Sequence, residues 1–252
     1  TMKYYAAVLL MLASLPVTAQ QSTLYAAAKN GLSLREKPGA ESRSLDKIPY
    51  GTKLILQEDK DAWIPVESEG MKGFWRKTTY NNKTGYVADC YLLPEAVPKV
   101  AVKDMTGYIA QLATPFGNKL VTKSRPGDQE EGGWQLEKQL FKNGAEWHKF
   151  SGYEYGSQTC FLPGFTLQEA FLLVKLIPEF NDVFGADEPF PAENKTYTKE
   201  GREYALSVEK EDYGNGVSRV KKITVEYEQG AIYHFELYQL DNQVVIFFGA
   251  GV

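Results

Sequence analysis

The hydrophobic pattern in the first third of the chain predicts short β-strands. Leu32 and Leu34 alternate with polar neighbours, as in a strand with one buried face. Further β-rich runs follow at residues 52–57, 74–80 and 84–88. Turn signals made of Gly, Pro and Asn separate these runs. Short strands of this kind, with turns every ~8–12 residues, favour a small barrel or sandwich.

From about residue 100 the pattern predicts a second domain that begins with β-hairpins. The predicted strands span residues 106–113, 119–123, 134–142 and 145–155. The last two flank Asn143-Gly144, which is the strongest short hairpin signal in the chain. A two-residue turn there would set Leu140 opposite Trp147, and His148 would lie opposite a polar residue on the other face.

One helix is predicted to begin after Thr166. Thr166 and Glu169 form the capping-box pattern, in which each side chain satisfies a free backbone N–H of the other residue. The apolar residues that follow form one helical stripe: Leu167, Ala170, Phe171, Val174 and Ile177. Pro178 marks the expected end. We expect a second, shorter helix at residues 179–184 and a loop at residues 186–199.

The last 50 or so residues predict a meander of strands at residues 203–209, 217–227, 231–239 and 244–248. A two-residue turn at Gln229-Gly230 would set an apolar side chain opposite a charged one. A three-residue loop that ends in Gly230 sets Val225 opposite Tyr233, and we favour it. A two-residue turn at residues 241–242 sets Leu237 opposite Ile246. The fold class is therefore mainly β, with a small barrel followed by an α+β domain of antiparallel sheet and one or two helices.

The beginning of the chain predicts export. Met2-Lys3 gives a short basic start, and the apolar run that follows ends at Leu15, too short to span a bilayer. Small residues at Val17 and Ala19 then mark a cleavage site, so residues 1–19 are interpreted as a signal peptide. An uncleaved N-terminal membrane anchor is the alternative. We expect a periplasmic or extracellular protein with no stable membrane insertion after signal removal.

The charge of the chain argues against one class of partner, and its two cysteines allow two alternative states. The net charge is −4 and no basic stripe is present, which argues against nucleic acid as a partner. Cys90 and Cys160 are the two cysteines, and in an oxidising compartment they either form one disulfide or remain free thiols.

No catalytic set or metal site is predicted. Cys160 lies six residues before Thr166 rather than at the helix start, where a low-pKa nucleophile would be expected. His148 and His234 are isolated from each other and from the cysteines in the sequence, without the close pairs of a structural zinc site. We therefore assign no catalytic residue, no metal and no cofactor.

An ordered set of short motifs in the first module resembles a bacterial SH3 domain. The motifs stand in this order: Leu34-Arg35, Pro38-Gly39, Gly51-Thr52, Trp75 and Thr84-Gly85-Tyr86-Val87. The resemblance implies an SH3-like domain over residues 23–95. Residues 94–99, with two prolines and little periodicity, predict a short boundary to a second domain at residues 100–252. The resemblance also implies a binding role through a groove of aromatic side chains. The candidates for that groove are Tyr50, Trp63, Trp75, Tyr80 and Tyr91.

The leading hypothesis is an exported, non-catalytic protein that binds a cell-envelope ligand, either a peptidoglycan peptide or an envelope protein. One alternative is a cell-wall hydrolase of the cysteine peptidase or amidase type, with its active site in the C-terminal domain. Another alternative is a structural partner in an envelope complex.

Overall fold

The structure is a computed structural model that describes residues 23–57, 63–124, 132–185 and 187–252. The predicted signal peptide at residues 1–19 lies outside the described residues. The fold class is mainly β, as predicted, and its strands form three antiparallel sheets.

The described residues of the first module form eight strands. They are β1 (Thr23–Ala26), β2 (Leu32–Arg35), β3 (Ser44–Ile48), β4 (Lys53–Ile55), β5 (Ile64–Ser68), β6 (Met71–Tyr80), β7 (Lys83–Ala88) and β8 (Leu92–Leu93). Two sheets result, in the orders β4-β1-β8 and β3-β2-β7-β6-β5. A short 3-10 turn at Asp89–Tyr91 links β7 to β8. The sequence pattern missed β1, β3, β5 and β8, which are short and lack clear alternation.

The second domain is built on one large antiparallel sheet. Its helices are α1 (Met105–Leu112) and α2 (Leu167–Val174), and a 3-10 turn spans Pro178–Phe180. Its strands are β9 (Pro115–Lys123), β10 (Gln135–Phe141), β11 (Glu146–Ser151), β12 (Tyr155–Pro163), β13 (Lys195–Lys199), β14 (Arg202–Asp212), β15 (Ser218–Glu228), β16 (Ile232–Leu240) and β17 (Gln243–Gly251). The nine strands are ordered β13-β14-β15-β16-β17-β12-β11-β10-β9.

One face of this sheet carries the core, and we call it the helix face. It presents Val225, Phe235 and Leu237, which are completely buried. The ring of Phe180 lies 5.6 Å from that of Phe235, and Phe184 lies 5.3 Å from the same ring. We call the opposite face of the sheet the back face. Packing of the helical segments against the helix face confirms the predicted α+β arrangement.

The helix after Thr166 is confirmed with its capping box. The Thr166 hydroxyl accepts from the N–H of Glu169 at 3.3 Å, and the Thr166 N–H donates to the Glu169 carboxylate at 2.7 Å. All members of the predicted apolar stripe are buried, although the helix itself ends at Val174. The predicted shorter helix at residues 179–184 is reduced to the 3-10 turn at Pro178–Phe180.

One assignment of secondary structure was wrong, and another was right only in part. The segment predicted as a strand at residues 106–113 is helix α1, whose first turn is capped by the Asp104 carboxylate, 2.7 Å from the N–H of Gly107. Burial of Met105, Tyr108 and Ile109 follows helical spacing. The segment predicted as a loop at residues 186–199 ends in strand β13.

The observed pairing of residues in each hairpin shows whether its turn was predicted correctly. The predicted turn at residues 241–242 is confirmed, because Leu237 pairs with Ile246. The loop before β16 also has three residues but lies one position further on, so Val225 pairs with Phe235 rather than with Tyr233. This shift of two residues keeps the same side chains on the helix face.

The turn at Asn143-Gly144 differs more. Phe141 closes a three-residue loop by donating its N–H to the carbonyl of Ala145 at 2.8 Å, and Gly144 has φ +84°. Leu140 therefore pairs with Glu146 instead of Trp147, and His148 pairs with Lys138. The observed register buries Phe141 and Ala145 together, which a two-residue turn would not allow.

The two modules share one apolar core. Ala27, Met71 and Leu93 of the first module belong to the same buried cluster as Phe171 and Ile177 of the second. A separate, smaller cluster fills the SH3-like unit: Ala26, Leu32, Leu34, Ile48, Leu54, Leu56, Val87 and Leu92. Residues 94–99, which the sequence predicts as the module boundary, therefore connect parts that are packed together.

Candidate functional site

The most exposed of the candidate aromatic residues is Trp63, which lies just before β5. Its side chain is 52% exposed. Its ring centre lies 5.2 Å from the ring centre of Phe74, and the Arg76 guanidinium carbon lies 5.2 Å from the Trp63 ring. We call these residues, together with Asp89, the Trp63 corner. Such an arrangement offers an aromatic surface beside a cation.

Asp89 ties the corner to the turn that follows β7. One carboxylate oxygen accepts from the N–H of Phe74 at 2.7 Å, and the other lies 3.8 Å from the Arg76 guanidinium. Gly73 makes this approach available, because a Cβ at that position would lie 2.1 Å from the Asp89 carboxylate. Burial raises the pKa of Asp89, while the Phe74 N–H and Arg76 oppose that shift.

The other predicted groove residues do not join Trp63 in one groove. Tyr50 is half-buried against the shared core and donates its hydroxyl to the carbonyl of Pro98 at 3.0 Å. Burial raises the pKa of Tyr50 to about 12. Trp75 is buried in β6, where it pairs with Ile64 and Ala88.

Tyr80 and Tyr91 pack mainly within the molecule. Both are half-buried against the small cluster of the first module, and Tyr91 also contacts the shared core. The Tyr91 hydroxyl lies 2.7 Å from the Ser68 hydroxyl and donates to the Glu69 carboxylate at 3.0 Å. Burial raises the pKa of Tyr91. Their roles in ligand binding remain predictions.

Sequence reasoning missed Phe74, Arg76 and Asp89 as members of the corner. Phe74 and Arg76 flank Trp75 in β6, so they share a face of the strand that Trp75 does not. The sequence Phe74-Trp75-Arg76 contained a signal for this pair, because residues two positions apart in a strand point to the same face. The Phe74 ring is thereby placed on the same side of β6 as the Arg76 cation.

The two cysteines are free thiols, the second of the alternatives left open by the sequence. Cys160 is buried, and burial raises the pKa of its thiol. Burial, with a contribution from Asp89, raises the pKa of the Cys90 thiol to about 12. Neither environment favours a thiolate, which is the reactive form of cysteine.

The histidines lie on the back face, opposite Cys160. In the register of β11 and β12, Cys160 pairs with Trp147 and Thr159 pairs with His148, so the side chains of Cys160 and His148 point to opposite faces. His148 contacts the Glu146 carboxylate at 3.1 Å. His234 lies between the carboxylates of Glu226 and Glu236, at 2.8 and 2.9 Å.

Other kinds of site are not evident in the part of the chain that the structure describes. In that part, no group of three or more His, Cys, Asp and Glu side chains is placed to hold a metal ion. No helix among the described residues is long and apolar enough to cross a membrane. A shallow depression near Tyr153 and the last residues of β17 lies apart from every predicted site residue.

Comparison with known families identifies the first module. Residues 30–92 match the bacterial SH3 domain family, which confirms the resemblance. No curated protein and no solved structure matches the chain. The Trp63 corner lies within the matched residues. A bacterial SH3 domain suggests a binding module, and such domains are often parts of cell-wall-associated proteins.

Proposed function

We propose, with the bacterial SH3 domain at residues 30–92 as the premise, that this is an exported, non-catalytic binding protein. Its Trp63 corner holds a cell-envelope ligand, either a peptidoglycan peptide or an envelope protein. The exposure of Trp63 is the observation that carries this proposal, because the other candidate aromatics are buried or half-buried. The corner supplies a flat apolar contact through its rings and a cationic group through Arg76.

The geometry of the corner favours a ligand with both apolar and acidic groups. The Trp63 and Phe74 rings offer contact area at low entropic cost, since each ring has few rotatable bonds. Arg76 is held near Asp89 at 3.8 Å, longer than a hydrogen bond, so its guanidinium retains donors for a carboxylate. Peptidoglycan stem peptides carry terminal carboxylates and small apolar side chains, which fits this chemistry.

The position of the thiols supports the non-catalytic part of the proposal over the hydrolase alternative. A cysteine hydrolase needs its thiolate beside a base, whereas Cys160 lies on the helix face and His148 on the back face. Assay of cell-wall digestion by the wild type and by Cys160→Ser tests this directly. A digestion activity that is lost in Cys160→Ser would overturn the proposal.

The binding experiment compares the full chain with two single variants. Trp63→Ala removes the corner's main ring, and we expect the affinity for soluble peptidoglycan fragments to fall at least tenfold, on the order of 1.4 kcal/mol. Tyr213→Ala is the matched control, because Tyr213 is also an exposed aromatic with an arginine, Arg219, 5.4 Å from its ring. It should bind like the wild type.

Three results of this experiment are informative. Loss of binding in Trp63→Ala alone supports the corner as the site. No binding by the wild type rejects a peptidoglycan ligand, and equal losses in both variants reject the corner as the site. Export is tested separately, by locating the protein in cell fractions and by sequencing the N-terminus of the mature chain, which we expect near Gln20.

A further inference from the structure

The outer edge of β9 is the longest exposed strand edge in the large sheet. All nine residues of β9 are exposed, and β10 is its only strand neighbour among the described residues. The opposite edge of the same sheet is β13, which has five residues and a lysine at each end. Short, lysine-bearing edges are how proteins discourage edge-to-edge pairing. The β9 edge lacks the first of these protections.

Apolar side chains are concentrated along β9. Leu120 is 68% exposed, Phe116 is 61% exposed and Val121 is 49% exposed. Leu120 pairs with Lys138 and Phe116 pairs with Leu140, so Leu120 and Phe116 project from the back face of the sheet. An exposed apolar strand edge is a template for another strand.

The backbone of β9 has hydrogen-bonding groups that point away from β10. The N–H of Ser124, just after β9, donates to the carbonyl of Trp134 at 3.0 Å. Because these groups alternate in direction along an antiparallel strand, those of Thr122 and Leu120 also point towards β10. The N–H and C=O groups of Val121 and Lys123 therefore point outwards.

We propose that the β9 edge pairs in antiparallel fashion with the β9 edge of a second copy of this chain. The resulting dimer would have a two-fold axis perpendicular to the sheet. Such an axis keeps each face of the sheet continuous, so a residue can pair only with one that projects from the same face. This proposal is independent of the ligand of the Trp63 corner.

The distribution of charge selects one register. An axis at Lys119 places that lysine against its own copy, and an axis at Val121 places Lys119 against Lys123. An axis at Leu120 avoids both repulsions, because Lys119 then lies opposite Val121. Leu120 meets its own copy at the axis, where two leucine side chains remove apolar surface from water.

A pairing register whose axis lies nearer the start of β9 is also less favourable. An axis at Asn118 would centre the pairing on the irregular segment of β9 between Phe116 and Leu120. It would also place Pro115, which has no N–H, at a position where the ladder needs a donor. The Leu120 register is thus the one that joins apolar side chains and opposes no lysines.

The contact is small, so the dimer should be reversible. Pairing of two single strands buries less than the ~1,200 Å² of a typical stable complex. We expect dissociation at protein concentrations on the order of 100 µM or below, visible by sedimentation equilibrium of the full chain over a range of concentrations.

Charge substitutions at the axis test both the edge and the register. Leu120→Glu and Leu120→Lys each place like charges against each other, and each should raise the dimer dissociation constant at least about tenfold. An equimolar mixture of these two variants should restore the dimer, because opposite charges then meet at the axis. Leu240→Glu changes an exposed leucine at the end of β16, 42% exposed, and should leave dimerisation unchanged.

Each possible result of these experiments either supports the proposed dimer or contradicts it. A wild type that stays monomeric at all concentrations up to about 500 µM, or a dimer that survives Leu120→Glu, overturns the proposal. A mixture that fails to dimerise overturns the Leu120 axis. Far-ultraviolet circular dichroism and thermal unfolding of each variant check that the exposed substitutions leave the fold intact.

Discussion

The side-chain amide of Gln168 pairs with the backbone of Lys72 in both directions. The N–H of Lys72 donates to the Gln168 amide oxygen at 2.5 Å, and the Gln168 amide nitrogen donates to the carbonyl of Lys72 at 3.3 Å. Lys72 lies in β6 of the SH3 module, and Gln168 lies in the first turn of α2. The amide therefore occupies the place that a neighbouring strand would take beside β6. Because hydrogen bonds depend on direction, this contact defines the orientation of the SH3 module against α2 more narrowly than the shared apolar core does.

A second directional contact lies at the tip of the β5–β6 hairpin. The carbonyl of Glu69 accepts from the N–H of Phe190 at 2.7 Å. Lys175 reinforces this point, because its ammonium donates to the carbonyl of Glu188 at 2.6 Å and lies 3.4 Å from the Glu69 carboxylate. The SH3 module is thus held against the second domain at its hairpin tip.

The first prediction concerns Gly70, which completes this turn. A Cβ on Gly70 would lie 2.7 Å from the carbonyl oxygen of Phe190, so Gly70→Ala must displace the contact between the modules. We expect it to lower the free energy of unfolding by about 1–3 kcal/mol more than the backbone strain alone. Urea denaturation measures the change.

Gly201→Ala supplies the matched control for Gly70→Ala. Gly70 has φ +72° and follows Glu69, and Gly201 has φ +77° and follows Glu200, so both stand in Glu-Gly turns. Nothing lies within 4 Å of a Cβ at Gly201. The two variants therefore share the strain of a positive φ, and only Gly70→Ala adds a clash. Equal losses of stability would show that the tip contact contributes nothing.

The second prediction concerns the state of the thiols. Both cysteines are free, and burial raises the pKa of each thiol. Because alkylation requires the thiolate, the native protein should react with iodoacetamide at about pH 8 far more slowly than the unfolded protein. Quantitative thiol titration in guanidinium without reductant should find both cysteines, and Cys90→Ser should leave only Cys160. Absence of titratable thiols in the unfolded wild type would indicate a disulfide instead.

The third prediction concerns the capping box of α2. Thr166→Ala removes the hydroxyl that accepts from the Glu169 N–H and leaves this N–H without its partner. The expected loss is about 1 kcal/mol of unfolding free energy by urea denaturation. Thr198→Ala, at an exposed position of the edge strand β13, should cost less. Similar losses in the two variants would argue against a stabilising cap.

Local signals were sufficient to predict some elements and not others. The capping box at Thr166 and the turn at residues 241–242 depend on residues close in sequence, and the structure confirms both. Helix α1 was missed because Gly107 and Ile109 weaken its helical pattern, although Asp104 in front of it is a good N-cap. The register at Asn143-Gly144 depends on burial of Phe141, which the turn sequence does not encode.

The sequence predicted the type of module that carries the candidate site, but not which of its aromatic side chains are exposed. The order of motifs in residues 30–92 was enough to indicate a bacterial SH3 domain. Which aromatics remain exposed depends on how the second domain packs against it, and this involves residues far apart in the chain. Tyr50 contacts Pro98 of the connection, and Tyr91 packs against the shared core, so neither position could be assigned from local pattern.

The last prediction concerns the pH dependence of stability at Glu179. Its carboxylate accepts from the N–H of Met105 at 2.9 Å, at the start of α1, and from the Gln158 amide at 3.1 Å. Burial raises the pKa of Glu179 above its ordinary value of 4.5, and the nearby Asp104 adds to this rise. The folded state therefore holds a proton on Glu179 at pH values where the unfolded state has lost it.

The sign of the effect follows from this difference in proton binding. The contribution of Glu179 to stability is complete below pH 4.5 and is lost as the pH rises through its raised folded-state pKa. Glu179→Gln cannot titrate, so the unfolding free energy of the wild type minus that of the variant should fall with increasing pH across this window. The slope cannot exceed about 1.4 kcal/mol per pH unit for one proton. Urea denaturation between about pH 4 and about pH 8 measures this slope. Glu203→Gln is the control, because Glu203 lies at an exposed position of β14 and its substitution should show no such slope. A difference for Glu179→Gln that stays constant or rises with pH would contradict a raised pKa.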